Sequence, residues 1–205
     1  HSGIDARAFI RALVKRGVMM QKNAGGNLLF VCGGRHRAVY PAMLTLVVGG
    51  SASGKSAFAE RLAVQSGLPR FYVATMRVWD AESEKRVARH RAMRREKRFE
   101  TLECPLHLEK LDMPARGTAL LEDMGNLAAN ELYDADGAKA DAVSAILRGA
   151  DRLHAQCAHL IIVSNEVFRG GADYAGDTDA YLLALAQINN ALAARAENVC
   201  RIMPG

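Results

Sequence analysis

Residues 49–56 read Gly-Gly-Ser-Ala-Ser-Gly-Lys-Ser and follow the apolar run 44–48. The pattern G-x-x-x-x-G-K-S, at the close of a strand and the opening of a helix, constrains the fold more than any other feature of the chain. Gly49, Gly50 and Gly54 lack a Cβ, so the backbone can turn tightly and aim its N–H groups at phosphate oxygens. The following helix adds the positive end of its dipole. Lys55 is then placed to reach the outer phosphates of a nucleotide, and the Ser56 hydroxyl to hold Mg²⁺. A plain Gly/Ser turn is the competing reading, and the strand–loop–helix context argues against it.

From Met43 onward apolar runs alternate with helical stretches. Strands are predicted over 44–48, 71–74, 119–122 and 159–164. Helices are predicted over 55–65, with Gly67 as its stop, and over 81–97, 140–155 and 178–196. Continuous apolar strands separated by helices predict an α/β fold, with a mainly parallel sheet and helices on both faces. Residues 1–42 stand apart. A short basic helix is expected over 6–16, a break over 23–26 and a strand over 28–32. Seven Lys/Arg against Asp5 give this segment a balance of +6, whereas the remaining 20 basic and 21 acidic residues balance at −1. The net charge of +5 therefore belongs to the extension, and the body carries no charge signature of nucleic-acid binding. Residues 43–205 are expected to be the working domain. The extension reads as a solvated appendage, with a docking arm for an acidic partner or lipid as the functional alternative.

A chain of 205 residues suits one core-forming domain. It holds no uninterrupted apolar run of about 18 residues, so no membrane span is expected. Its first residues lack the pattern of a secretory signal. Cys32, Cys104, Cys157 and Cys200 are far apart and form no C-x-x-C pair. A zinc site or disulfide framework is not expected, and a reducing cytoplasm is the simplest compartment.

Several residues are candidates for chemistry. The apolar strand ending in Glu122 and Asp123 suits an acid that completes the Mg²⁺ shell, with Glu122 first and Asp123 as a possible second; a solvated strand-end acid is the alternative. His90 lies between Arg86 and Arg94, one helical turn to either side. Nearby positive charge favours neutral imidazole, and the arginines can clamp phosphates, which suits covalent nucleotidyl transfer. A solvated basic helix with an incidental histidine explains the same residues. The segment 163–167, Val-Ser-Asn-Glu-Val, puts polar groups where a parallel strand ends and ligands gather. The segment 134–137, Asp-Ala-Asp-Gly, lacks the remaining ligands of a calcium loop and reads as a turn. Trp79, Phe99 and Met93 read as core or groove lining, and His107, His154 and His159 show no metal-ligand spacing.

These segments, in this order, resemble the bifunctional adenosylcobinamide kinase/adenosylcobinamide-phosphate guanylyltransferase family of cobalamin biosynthesis. The likeness runs from Met43 nearly to the end of the chain. It rests on residues 49–56, Tyr72-Val73-Ala74-Thr75, Asp80-Ala81-Glu82, Arg86 to Arg91 around His90, and Thr101 to Pro105. Leu120-Leu121-Glu122, Asn130, residues 163–167 and Ile188 to Ala193 complete it. The resemblance implies a RecA-like P-loop fold, a homotrimer, phosphorylation of the cobinamide hydroxyl, and GMP transfer onto that phosphate with pyrophosphate release. His90 matches the family's guanylylated histidine. Gly49, Gly50, Ser51, Ala52, Ser53, Gly54, Lys55 and Ser56 match its GTP-contacting positions, as do Ala74, Thr75, Met76, Arg91, Arg94, Glu103 and Glu122. GTP and Mg²⁺ are implied, with ATP as an alternative donor for the kinase step, and a corrinoid as the small-molecule partner. The chain departs from the family pattern at Phe168-Arg169-Gly170, over 178–183, and at Asp123, where a small or sulfur side chain is usual. These positions bear most on the kinase half.

Two other classes of function remain open on the residues themselves. A P-loop kinase without a covalent step would leave His90 dispensable. A nucleotide-binding regulator that has lost catalysis would bind GTP and form no GMP adduct.

Overall fold

The computed structural model describes residues 19–22, 28–31, 42–67, 69–77, 96–166 and 177–203. The chain divides between residues 39 and 40 into two units. In the first, strand β1 (Met19–Lys22) pairs antiparallel with β2 (Leu28–Val31), Met19 opposite Val31 and Lys22 opposite Leu28. The helix expected over 6–16 lies outside the described residues.

The second unit is built on six strands: β3 (Met43–Gly49), β4 (Arg70–Ala74), β5 (Phe99–Glu103), β6 (Thr118–Glu122), β7 (His159–Asn165) and β8 (Asn198–Ile202). Their order is β5-β4-β6-β7-β3-β8, and every neighbouring pair is parallel. Among the described residues four α-helices accompany them: α1 (Lys55–Gln65), α2 (Met124–Tyr133), α3 (Ala142–Gln156) and α4 (Asp177–Arg195). One strand, β7, stands between β3, which feeds the P-loop, and β6, which ends in the acids. That inserted strand gives the sheet its RecA-like arrangement.

Alternate side chains of a strand face opposite sides of the sheet, so each strand feeds two cores. Val47, Tyr72, Leu120, Ile161 and Val163 pack with Ala59 and Ala63 of α1. Leu46, Val73, Leu121, Leu160 and Ile162 pack with Leu127 of α2, Ile146 and Leu153 of α3, and Leu185 and Ile188 of α4. Burial on both faces explains why the central strands read as unbroken apolar runs.

The two edge strands were not expected from the sequence, and their exposure is the reason. β5 reads Phe-Glu-Thr-Leu-Glu with one fully buried residue, and β8 reads Asn-Val-Cys-Arg-Ile with Cys200 alone buried. Helix α2 was also unexpected. Asp123 caps it, its carboxylate accepting from the Asn126 N–H at 2.6 Å. The helix predicted over 81–97 lies outside the described residues except for its last two positions, as do Trp79 and Met93. Phe99 is core, edge-on to Tyr72 at 6.1 Å between ring centres.

Candidate active site

All six strands point the same way, so their carboxyl ends form one edge, where ligands of open α/β sheets collect. Register aligns the residues there. Ala74 sits opposite Glu103 on one side and Glu122 on the other, and Gly49 opposite Asn165 and Ile202.

The loop 50–54 leaves β3 and enters α1. Gly54 has φ 84°, a left-handed conformation that an L side chain resists, and its carbonyl accepts from the Phe58 N–H at 3.0 Å. A Cβ on Gly49 would lie 2.6 Å from Ser53 Oγ and 2.8 Å from the Ile202 carbonyl oxygen, so the loop closes only over glycine. No side chain caps α1 and its first turn carries no acid, which leaves the helix N–H groups directed at the loop's hollow. Lys55 is buried, and its Nζ donates to the Gly50 carbonyl at 3.1 Å.

Glu122 faces the α1 side of the sheet, the side shared by Tyr72 and Leu120. The hydroxyls of Ser56 and Tyr72 donate to its carboxyl group. Burial raises its pKa, those two hydrogen bonds act against the rise, and the charges of Asp123 and Glu60 add to it. Its Oε2 and Ser53 Oγ are both buried without a hydrogen-bond partner among the described residues. Unpaired buried oxygens cost free energy that a ligand can recover. Ser56 and Glu122 together offer hard oxygen donors, one a carboxylate oxygen with no other partner, and this fits Mg²⁺. Asp123 is engaged elsewhere: its carboxylate caps α2.

The other expected residues fall along the same edge in different states. Ala74 ends β4 and Glu103 ends β5. Thr75 is fully buried; its hydroxyl donates to the Asp123 carbonyl at 2.8 Å, so its side chain braces the β6–α2 turn. Met76 is exposed. His90, Arg91 and Arg94 lie outside the described residues, as do Val167 and 168–170. At the end of β7, Ser164 donates to Asn189 Oδ1 at 2.6 Å and Asn189 Nδ2 donates to the Asn165 carbonyl at 3.1 Å, which ties the strand to α4. Asn130 Nδ2 donates to the carbonyls of Thr75 and Pro105, both at 2.9 Å. The contribution of Tyr72 to Glu122 was missed, although the parity of two parallel strands signals it: Tyr72 and Ala74 share the face of Leu120 and Glu122.

Spacing gave His107 no metal-binding company; the fold sets it beside Glu109 and Glu131, with donor atoms within 4.8 Å of one another. Glu131 already staples two loops there, accepting from the backbone N–H of His107 at 2.5 Å and of Ala138 at 2.9 Å. The segment 134–137 is a turn, closed by the Gly137 N–H on the Asp134 carbonyl at 3.0 Å.

Residues 45–205 match the family model described as cobinamide kinase / cobinamide phosphate guanyltransferase. The chain belongs to this family. Among curated relatives, bifunctional adenosylcobalamin biosynthesis protein CobP of Pseudomonas aeruginosa is 35% identical over 167 residues, covering 80% of this chain and 94% of the relative. Bifunctional adenosylcobalamin biosynthesis protein CobU of Escherichia coli is 30% identical over 177 residues, covering 80% and 97%. Among solved structures, flagellar accessory protein FlaH of Methanocaldococcus jannaschii aligns with a TM-score of 0.39 and 11% identity, over 78% of this chain and 70% of that one. The fold assignment rests on the strand order. Family membership makes the protein an enzyme. Among the described residues no helix is long and apolar enough to cross a membrane.

Proposed function

We propose that the protein phosphorylates the hydroxyl of adenosylcobinamide and then transfers GMP from GTP onto that phosphate, giving adenosylcobinamide-GDP and pyrophosphate. The observation that carries this reading is the convergence of Lys55, Ser56 and the unpaired Glu122 oxygen on a loop shaped for phosphates. The loop N–H groups and Lys55 hold and neutralise the triphosphate. Ser56 and Glu122 would hold Mg²⁺, which supplies charge neutralisation across the phosphates. In the nucleotidyl step a nitrogen of His90 attacks the α-phosphorus, and the N–P bond forms as the bond to the pyrophosphate oxygen breaks. The acceptor's phosphate oxygen then displaces the imidazole. Arg91, Arg94, Ala74, Met76 and Glu103 are assigned to the nucleotide, and GTP or ATP to the kinase step. The reading places the working domain at 43–205 and carries with it a homotrimer in the cytoplasm.

The test is incubation with [α-³²P]GTP and Mg²⁺ followed by a denaturing gel. An acid-labile, alkali-stable label on the wild type and none on His90→Ala is the expected result. A folded, GTP-binding wild type that takes no label overturns the covalent step.

A further inference from the structure

Beside the P-loop, three side chains from three elements crowd one point. A Cβ built on Gly125, in the first turn of α2, would lie 2.9 Å from Asn165 Nδ2, 2.9 Å from Tyr181 Oη and 3.2 Å from Asp123 Oδ1. Asp123 comes from the β6–α2 junction, Asn165 from the end of β7, and Tyr181 from α4. Among the described residues the Asn165 side-chain amide and the Tyr181 hydroxyl make no hydrogen bond. Asp123 accepts from the backbone N–H groups of Asn126 and Gly125 and keeps acceptor capacity on a carboxylate that can take about four hydrogen bonds. The Lys55 ammonium acts on the same carboxylate, which sets the cluster beside the loop's lysine.

Each member is braced from behind. Thr75 holds the Asp123 carbonyl, Asn189 holds the Asn165 carbonyl, and the Tyr181 ring packs against the core shared by α2, α3 and α4. Polar groups fixed in this way, with donors and acceptors left unused, are organised for a ligand.

Chemistry narrows the ligand. The cluster offers a carboxylate, an amide and a phenol, and among the described residues its single neighbouring cation is Lys55, which the donor phosphates claim. Phosphate sites are built from arginines and lysines, and a carboxylate beside a phosphate ester repels it. A neutral hydroxyl can donate to Asp123 and accept from Asn165 or Tyr181. We infer that Asp123, Asn165 and Tyr181 form a subsite for the hydroxyl end of the phosphate acceptor, selecting the free alcohol over its phosphate ester. The inference rests on the kinase half of the proposed function.

The test measures γ-phosphate transfer from GTP to adenosylcobinamide for wild type, Tyr181→Phe and Asp123→Asn, with adenosylcobinamide phosphate as a competitor. Phe keeps the ring packing, and Asn still caps α2. Losing one hydrogen bond to the acceptor is expected to raise its KM roughly tenfold in Tyr181→Phe, with the KM for GTP within about twofold. Removing the carboxylate charge in Asp123→Asn is expected to strengthen inhibition by the phosphate ester on the order of tenfold. Turnover with unchanged acceptor KM and unchanged inhibition in both variants overturns the subsite alone. A folded wild type that phosphorylates no cobinamide overturns the kinase reading and the subsite with it.

Discussion

Lys55 and Glu122 are held in opposite ways, and the difference sets what their substitution does. Lys55 Nζ rests on the Gly50 carbonyl, a loop contact a nucleotide can replace. Lys55→Met should leave the fold intact and lower kcat/KM for GTP about 10–100-fold, the worth of a charge-assisted hydrogen bond to phosphate; steady-state kinetics with a circular dichroism control measures this. Glu122 keeps a buried, unpaired oxygen, and burial raises its pKa in the folded protein. An acid with a raised folded pKa loses stability as pH rises through its unfolded value, because the unfolded chain ionises first. Glu122→Gln should therefore stabilise the nucleotide-free protein at pH 7 by on the order of 1 kcal/mol while weakening its response to Mg²⁺. Urea unfolding of both forms at pH 7 decides it, and an unchanged or lower midpoint in the variant defeats the argument. At this scale the sequence was informative wherever chemistry follows local spacing. The Gly-Lys-Ser turn is a local pattern suited to phosphates, and an acid closing an apolar strand is one suited to a cation. The Tyr72 hydroxyl, the Asp123 cap and the grouping of Asn165 with Tyr181 depend on residues tens of positions apart meeting across the sheet, which no local pattern records.

Among the elements, β3, β7 and α1 meet at His159. Its Nε2 lies 2.8 Å from Thr45 Oγ1 and its Nδ1 2.9 Å from Ser66 Oγ. Ser66 donates its proton to the Leu62 carbonyl at 2.9 Å, so it accepts from Nδ1–H, and Nε2 accepts from Thr45. The ring is thus neutral with its proton on Nδ1. Burial pushes its pKa down to about 4; the Glu197 charge acts to raise it and His154 to lower it. Because the unfolded histidine takes a proton near pH 6.5, the unfolded chain binds more protons between that value and about 4, and stability falls as pH falls through this window. Between pH 7 and 4.5 the contribution lost is roughly 2–3 kcal/mol. His159→Gln should flatten that part of the stability–pH curve, read from urea midpoints at the two pH values; an equal slope in both proteins would remove His159 as its cause. The sequence revealed this junction's strands but not its polar contacts. The central strands β3, β4, β6 and β7 announce themselves because both faces are buried. The edges β5 and β8 mix exposed and buried positions and carry no such signal.

Across the whole molecule, two cores on opposite faces of one sheet close within the strands that begin at Met43 and end at Ile202. The orphaned oxygens of Ser53 and Glu122 and the uncapped start of α1 lie at the edge between β3 and β6, where phosphates and a cation would satisfy them. A ligand that binds the folded state alone stabilises it by mass action, about 2.7 kcal/mol at a hundred times its Kd. For a chain of this size each kcal/mol moves Tm by roughly 2–4 °C, so saturating Mg²⁺ and GTP should raise Tm by roughly 5–10 °C. The described residues of both hydrophobic cores lie between Leu44 and Ile202. A chain beginning at Met43 should therefore show the same ligand-induced shift and a GTP affinity within about twofold of the full chain. Thermal unfolding with and without Mg²⁺ and GTP, run on both lengths, compares them directly. A truncated chain that folds but loses the shift would assign the basic extension a part in nucleotide binding, and one that fails to fold would show that the sheet needs what precedes it.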